Sequence, residues 1–100
     1  MIGYRFLSPA ETEMAHAALF YEKASIRLGS GFLDDVYRTI NRLRKFPFIG
    51  TPIDNDLRGK VLGRFPYILI YAVETDAILI VAVAHQSQNP GYWESRLASN

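Results

Sequence analysis

Two apolar runs separated by three polar residues constrain the fold of this chain more than any other feature. The first run covers 65–73 and the second covers 77–84, with Glu74, Thr75 and Asp76 between them. Both runs are apolar on successive residues, which is typical of strands that are covered on both faces or lie centrally in a sheet. A three-residue connection joins antiparallel neighbours. The sequence therefore predicts an antiparallel hairpin in the most buried part of a sheet.

The first part of the chain has the period of an amphipathic helix. Apolar residues recur at alternating spacings of four and three from Ala10 to Leu28, which predicts a helix with one apolar face. The residues from Ser8 to Glu11 have the form of a capping box, with a proline at the first helical position. The sequence therefore predicts a helix that Ser8 caps.

A second helix is predicted after a break at Gly29, Ser30 and Gly31. Gly29 suits the left-handed residue that follows a helix, and Ser30 suits the cap of the next one. Phe46 ends the second helix because it precedes a proline. Two helices joined by so short a turn are expected to form an antiparallel hairpin.

The remaining segments complete the predicted architecture. Residues 2–6 and 57–62 alternate apolar and polar side chains as strands do, and the loop 47–56 contains two prolines and a glycine. Residues 91–97 have room for a turn of helix. The order of strand, two helices and three strands predicts an α+β fold, with a helical hairpin packed on a small antiparallel sheet. The length predicts one domain over residues 1–100.

The composition limits the classes of function. The chain has no cysteine, which excludes disulfides and thiolate metal sites. His16 and His85 are far apart and lack the spacing of metal ligands, so no metal or cofactor is expected. No apolar stretch reaches the roughly 18 residues of a membrane span, and the start does not have the form of a signal peptide. We therefore expect a soluble, cytoplasmic domain with no membrane partner.

Positive charge is concentrated in the middle of the chain, although the net charge is only +1. The ordinary interpretation is a pair of solvated helix faces. Guanidinium groups also suit phosphates and carboxylates, so a nucleic acid and an acidic protein segment both stay open as partners. The basic residues of this part of the chain are Arg38, Arg42, Arg44, Lys45, Arg58, Lys60 and Arg64.

His85 is the strongest candidate for chemistry because it directly follows a buried strand. A histidine side chain can move protons near neutral pH, but His85 could equally be a histidine hydrogen-bonded at the end of a sheet. Arg58, Arg64 and Arg96 are candidates to bind anions. Arg64 and His85 are expected at opposite ends of neighbouring strands, and Arg96 could fold back towards either.

Tyr92 and Trp93 follow a Pro-Gly pair near the C-terminus. Two aromatic rings in this position could stack on a nucleic-acid base. An aromatic pair after such a turn more often places one ring on the core, and we expect Trp93 to be a lid on the sheet.

The ordered set of motifs in the second half of the chain resembles the RelE/ParE superfamily of type II toxin–antitoxin toxins. The resemblance covers about residues 4–96, and it implies the same fold that the residue pattern predicts. The motifs that carry it are Arg64-Phe65-Pro66-Tyr67, Tyr71, His85-Gln86-Ser87-Gln88-Asn89-Pro90, Tyr92-Trp93 and Arg96.

The superfamily has two main activities, and the sequence favours one of them. RelE-like members cleave mRNA on the ribosome, whereas ParE-like members poison DNA gyrase with no established hydrolytic chemistry. The ribonuclease branch typically carries an arginine directly after the tyrosine that matches Tyr67, where this chain has Ile68. That branch also commonly carries basic residues after the last strand, where this chain has Gln86, Ser87 and Gln88. The resemblance therefore implies a ParE-like protein with a role in plasmid stabilization, leaning away from an enzyme.

Two alternatives stay open. In a ribonuclease, His85 would be the general acid or base, Arg64 and Arg96 would bind phosphate, and Tyr92 would stack on a base or transfer a proton. The other alternative is an attenuated module that binds its partner without toxicity, because Gln88 replaces an arginine that related sequences usually carry.

The resemblance also implies partners and contact residues. We expect a cognate antitoxin whose C-terminal segment lies on the toxin in a hetero-oligomer, and a target that is gyrase or, in the alternative, the ribosome with its mRNA. A small domain with so apolar a sheet is expected to leave an apolar groove for a segment that folds on binding. The candidate target-contact residues are Arg58, Arg64, His85, Tyr92, Trp93 and Arg96.

Overall fold

A computed structural model describes residues 1–54 and 56–98 of the chain. It contains five strands and three helices in these ranges, and it confirms the predicted α+β fold. The elements are β1 (Gly3–Phe6), α1 (Ser8–Ala24), α2 (Leu28–Lys45), β2 (Thr51–Ile53), β3 (Leu57–Val61), β4 (Tyr67–Val73), β5 (Ala77–His85) and α3 (Ser95–Ala98).

The strands form one sheet in the order β1-β5-β4-β3-β2. The predicted central hairpin is confirmed: β4 and β5 pair antiparallel from Tyr67 opposite His85 to Val73 opposite Ile78, with one bulge after Ile70. Two features differ from the expected antiparallel sheet of four strands. The strand β1 pairs with β5 in parallel, and the short edge strand β2 lies inside the predicted loop. Pro52 is tolerated there because an edge strand has one side without a partner.

The sheet is buried on both faces, as the continuous apolar runs predict. One face packs against α1 and α2, and the core between them includes Leu69 and Ile80 of the sheet and Phe32 of α2. The other face is centred on Ile70 and Val81, and the C-terminal segment covers part of it. Burial on both sides explains why β4 and β5 do not alternate apolar and polar residues.

The boundary between the two helices lies several residues before the predicted one. The helix α1 ends at Ala24, and α2 already begins at Leu28, so Gly29 and Ser30 are inside α2. Gly29 is needed for close packing, because a Cβ atom there would lie 2.4 Å from the carbonyl oxygen of Ala18. The left-handed residue is Arg27, with φ of 72°. The glycine therefore marks a close approach of the two helices.

The cap of α2 comes from the other helix. The Glu22 carboxylate accepts hydrogen bonds from the backbone N–H groups of Arg27 and Gly29, both at 3.0 Å. Ser30, the predicted cap, donates its hydroxyl to the Arg27 carbonyl at 3.0 Å. A carboxylate at a helix N-terminus satisfies unpaired N–H groups as a local cap does. The carboxylate that caps this helix thus belongs to the preceding helix, five and seven residues before the two N–H groups.

The predicted capping box at the start of α1 is absent. The N-cap is Leu7, whose side chain makes no capping hydrogen bond, and Ser8 is already the first residue of the helix. The Leu7 carbonyl accepts from Ala10 at 3.0 Å and from Glu11 at 3.1 Å. The predicted end of α2 is confirmed, because the helix stops at Lys45 before Phe46. None of the described helices is both long and apolar enough to cross a membrane.

Candidate functional site

An apolar groove lies on the face of the sheet that the two long helices leave uncovered. Its volume is about 320 Å³, and Ile53, Ile68, Ile70 and Trp93 are among its lining residues. Trp93 packs against the core of this face and contacts Tyr92 edge to face, with ring centroids 5.2 Å apart. Trp93 is therefore a lid on the sheet, as the sequence predicts, and it also forms one wall of the groove.

The C-terminal segment that carries Trp93 is held in place by Glu13 of α1. Arg96 donates two hydrogen bonds to the Glu13 carboxylate, one to each oxygen and both at 2.9 Å. The Tyr92 hydroxyl donates to the same carboxylate at 2.5 Å. The guanidinium of Arg96 also lies over the Tyr92 ring, 5.1 Å from its centroid. Two of the predicted contact residues thus fix the segment to the fold.

Glu13 and Arg96 also form hydrogen bonds with backbone groups of β5, beyond the point where its pairing with β1 stops. The last residue of β5 that pairs with β1 is Ile80, opposite Phe6. Beyond it, the Val83 N–H donates to Glu13 at 3.0 Å, and the Val81 carbonyl accepts from Arg96 at 2.9 Å. Polar backbone groups at a partly buried edge need such partners. The side chains of Glu13 and Arg96 therefore supply hydrogen bonds that a neighbouring strand would otherwise make with this part of β5.

The same contacts shift the pKa values of the three groups. Burial by itself raises the pKa of Glu13, but hydrogen bonds from Arg96, Tyr92 and the Val83 N–H outweigh it, and the net pKa is lowered. Burial, together with the bond to Glu13, raises the pKa of Tyr92. The bond to Glu13 raises the pKa of Arg96. Tyr92 is therefore a poor proton donor at neutral pH, which weakens the role that the ribonuclease alternative assigns to it.

His85 closes a turn at the end of β5. Its ring Nδ1 accepts the Ser87 N–H at 3.0 Å and lies 2.7 Å from the Ser87 hydroxyl. The Gln88 amide oxygen accepts the His85 N–H at 2.8 Å, so this residue also shapes the turn. The ring packs edge to face on Tyr67, with centroids 5.0 Å apart. His85 is thus a hydrogen-bonded histidine at the end of the sheet, and its ring is half-buried.

The expected separation of Arg64 and His85 is wrong. Tyr67, the first residue of β4, pairs with His85, the last residue of β5, so Arg64 lies just beyond the same end of the sheet. The reason is general: in an antiparallel pair, the start of one strand lies beside the end of its neighbour.

Arg58 supports the loop between α2 and β2. It donates to the carbonyls of Phe48 at 3.0 Å and Gly50 at 2.9 Å, and its guanidinium lies 5.1 Å from the centroid of the Phe48 ring. The buried Tyr71 hydroxyl accepts from the Gly50 N–H and donates to the Pro47 carbonyl. These bonds hold a loop whose Phe48 side chain is exposed.

Comparison with known proteins gives the family. The family model described as ParE toxin of type II toxin–antitoxin system, parDE, matches residues 4–90. The chain belongs to the ParE toxin family. One chain of a solved structure, described as the chromosomal ParDE TA system from P. aeruginosa, shares the fold with a TM-score of 0.68. That match covers 85% of this chain and 96% of the other, at 16% sequence identity. No curated protein matches the sequence.

Arg64 lies in a different part of this ParE toxin from the C-terminal candidates. It is exposed, and its guanidinium lies 5.4 Å from the centroid of the Phe65 ring. With Arg38, Arg42 and Lys60 it lines a second groove, beside α2. The predicted contact residues therefore divide into separate groups: Arg58 holds a loop, Arg64 lines this groove, His85 closes a turn, and Tyr92, Trp93 and Arg96 form the C-terminal cluster.

The sequence reasoning missed Glu13, although a signal for it was present. Glu13 is three residues after Ala10 and four before Ala17, and both of these alanines are buried. That spacing places the carboxylate on the apolar face of α1. A charged residue on the buried face of a helix implies a partner, and Arg96 is that partner here. The pairing itself spans 83 residues of sequence and has no local signature.

Proposed function

We propose that this type II toxin inhibits DNA gyrase through protein–protein contact and that a cognate antitoxin neutralises it in the cytoplasm. The observation that carries the proposal is the apolar character of the groove at Ile68. A ribonuclease needs charged groups there to stabilise a phosphorane and to protonate the leaving oxygen. Ile53, Ile70 and Trp93 line the groove together with Ile68, and the charged residues described in its lining, Asp54 and Glu94, are both acidic and would repel a phosphate. Such a surface suits a protein partner.

The positions of the candidate acid–base groups support the same choice. Tyr92 and Arg96 bond to Glu13, and the Nδ1 atom of His85 accepts from its own turn. A general acid and base must both reach the reacting atoms from one site. Arg64 is the predicted contact residue with the most open environment. We therefore assign contact with the target mainly to Trp93, to Arg64 and to the turn that His85 closes. Tyr92 and Arg96 then position Trp93.

Exposed apolar side chains support the antitoxin partner. On and just after α1, Leu19, Phe20 and Ile26 are 54%, 66% and 82% exposed. Side chains of this kind are contacts for a segment that folds on binding. The toxin would then occur as a hetero-oligomer with its antitoxin in resting cells.

The test is a DNA-supercoiling assay with purified gyrase and the purified chain. We expect loss of supercoiling, with no cleavage of mRNA in a ribosome translation assay. Ile68→Glu places a charge in the apolar groove and should abolish the effect on gyrase. Phe46→Glu, at a 58% exposed position just after α2, is the matched control and should keep it. Cut transcripts with normal supercoiling would refute the proposal.

Two further variants separate the alternatives. If the chain cleaves RNA and His85 is the general acid or base, His85→Ala lowers cleavage by about 10²–10⁴-fold. If Gln88 attenuates the toxin, Gln88→Arg should lower the concentration of toxin that stops growth. A wild-type chain that leaves growth and supercoiling unchanged would instead indicate the module without toxicity.

A further inference from the structure

Four cations from distant parts of the chain line one groove, here called the basic groove. Arg38 and Arg42 come from α2, Lys60 comes from β3, and Arg64 comes from the connection between β3 and β4. The groove has a volume of about 270 Å³, and Asp35, Thr39, Val61 and Gly63 complete its lining.

The fold builds this groove through one buried carboxylate. Asp35 of α2 accepts hydrogen bonds from the backbone N–H groups of Gly63 at 3.1 Å, Arg64 at 2.8 Å and Phe65 at 3.2 Å. These bonds fasten the β3–β4 connection against α2. Arg64 is thereby held on the same side of the molecule as the arginines of the helix. The cluster is thus a fixed feature of the tertiary structure.

The positive charge of the groove is largely uncompensated. Asp35 is only 1% exposed, and it forms an ion pair with Arg38 at 3.7 Å. Among the described residues, no carboxylate lies within salt-bridge distance of Arg42, Lys60 or Arg64. Four cations against one carboxylate give the basic groove a local charge of about +3, while the whole chain carries only +1.

We propose that the basic groove binds the phosphodiester backbone of duplex DNA. None of the described residues that line it is aromatic, so they offer no stacking surface of the kind with which proteins hold single strands. Val61 is its one lining residue with an apolar side chain among those described, whereas a peptide that folds on binding needs several apolar anchors. Binding to the phosphate groups of DNA, by contrast, requires only cationic side chains. The choice of DNA over RNA rests on the proposed function, since gyrase acts on DNA.

The size of the expected effect follows from counterion release. Each phosphate contact contributes about −0.9 to the slope of log K against log salt concentration. Three contacts give a slope of about −3, or roughly 50-fold weaker binding between 50 and 200 mM salt. Binding would be weak and independent of base sequence, because backbone contacts carry no sequence information.

The experiment measures fluorescence anisotropy of a labelled 20-base-pair DNA duplex titrated with the purified chain over a range of salt concentrations. Arg42→Gln, Lys60→Gln and Arg64→Gln should each reduce the magnitude of the slope by about 1. Lys23→Gln removes an exposed cation from the last turn of α1 and is the matched control, with an unchanged slope. Thermal unfolding of each variant checks that the fold is intact.

The outcomes separate this inference from the proposed function, because the titration contains no gyrase. An unchanged slope in Lys60→Gln, tighter binding of duplex RNA or single strands, or equal binding of polyglutamate would overturn the inference, even if the chain inhibits gyrase. A slope near −3 that falls in the groove variants and not in Lys23→Gln would support it, even if gyrase is unaffected.

Discussion

Arg96 of the C-terminal cluster and Arg38 of the basic groove each lie beside a carboxylate, but the two ion pairs differ in geometry and in exposure to solvent. Glu13 and Arg96 form a bidentate pair at 2.9 Å, with side chains that are 21% and 16% exposed. Asp35 and Arg38 are 3.7 Å apart, and Arg38 is 62% exposed. The Arg96 guanidinium is therefore part of the packed structure, whereas the Arg38 guanidinium is mostly exposed to solvent.

The difference lies in the other partners of each carboxylate. Asp35 uses its oxygens for three backbone N–H groups, so little of its hydrogen-bonding capacity is left for Arg38. Glu13 accepts one backbone N–H, and its remaining capacity serves Tyr92 and Arg96. The availability of an arginine for an external partner thus depends on what else its carboxylate binds.

The largest expected effect is the loss of the Glu13 carboxylate. Glu13→Ala removes, at a mostly buried site, the carboxylate that binds Arg96 and the Val83 N–H, and should lower the free energy of unfolding by about 3 kcal/mol. The midpoint of thermal unfolding should fall by more than about 10 °C. Glu11→Ala, at an exposed position of the same helix, is the control and should cost less than about 1 kcal/mol. Equal effects of the two substitutions would show that the cluster adds nothing to stability.

A smaller effect is expected for Asp35→Asn. The amide keeps one oxygen acceptor but turns an NH₂ group towards backbone N–H donors, so the free energy of unfolding should fall by about 2 kcal/mol. Chemical denaturation of wild type and variant measures the difference. Asp34→Asn, at the exposed neighbouring position, should be nearly neutral. A neutral Asp35→Asn would mean that the β3–β4 connection does not need this carboxylate.

The acid dependence of stability gives a third comparison. The pKa of Glu13 is lowered from 4.5 by its hydrogen bonds. A carboxylate with a lowered pKa in the folded state contributes stability above its unfolded pKa and loses it as the pH falls through the folded value. The wild type should therefore lose stability below about pH 4.5 more steeply than Glu13→Gln, as followed by thermal unfolding at several pH values. Parallel pH profiles of the two proteins would contradict this.

The smallest stability effect is expected in the basic groove. Lys60→Gln and Arg42→Gln should each change the free energy of unfolding by no more than about 0.5 kcal/mol, because neither side chain forms an ion pair with a described carboxylate. Chemical denaturation of each variant and of the wild type measures the change in the free energy of unfolding. A loss above about 1 kcal/mol would show that these cations stabilise the fold. Arg42 and Lys60 would then resemble Arg96 instead of differing from it.

Several elements could be predicted because their signals are local. The apolar runs around Glu74, the period of α1 and the proline after Phe46 each depend on residues close in sequence. The boundary near Gly29 could not, because its position is set by contact with the Ala18 carbonyl and by a cap from Glu22. The strand β2 was missed since it has only three residues and includes a proline.

The sequence by itself determined the central hairpin, the two helices, the placement of Trp93 on the sheet and the resemblance to the ParE family. These follow from the period of apolar residues and from motifs in order along the chain. Only the tertiary structure decided which cations are available. It joined Arg96 to Glu13 across 83 residues and gathered Arg38, Arg42, Lys60 and Arg64 into one groove. The physical reason is that an ion pair depends on distance in space and on competing hydrogen bonds, neither of which has a period in the sequence.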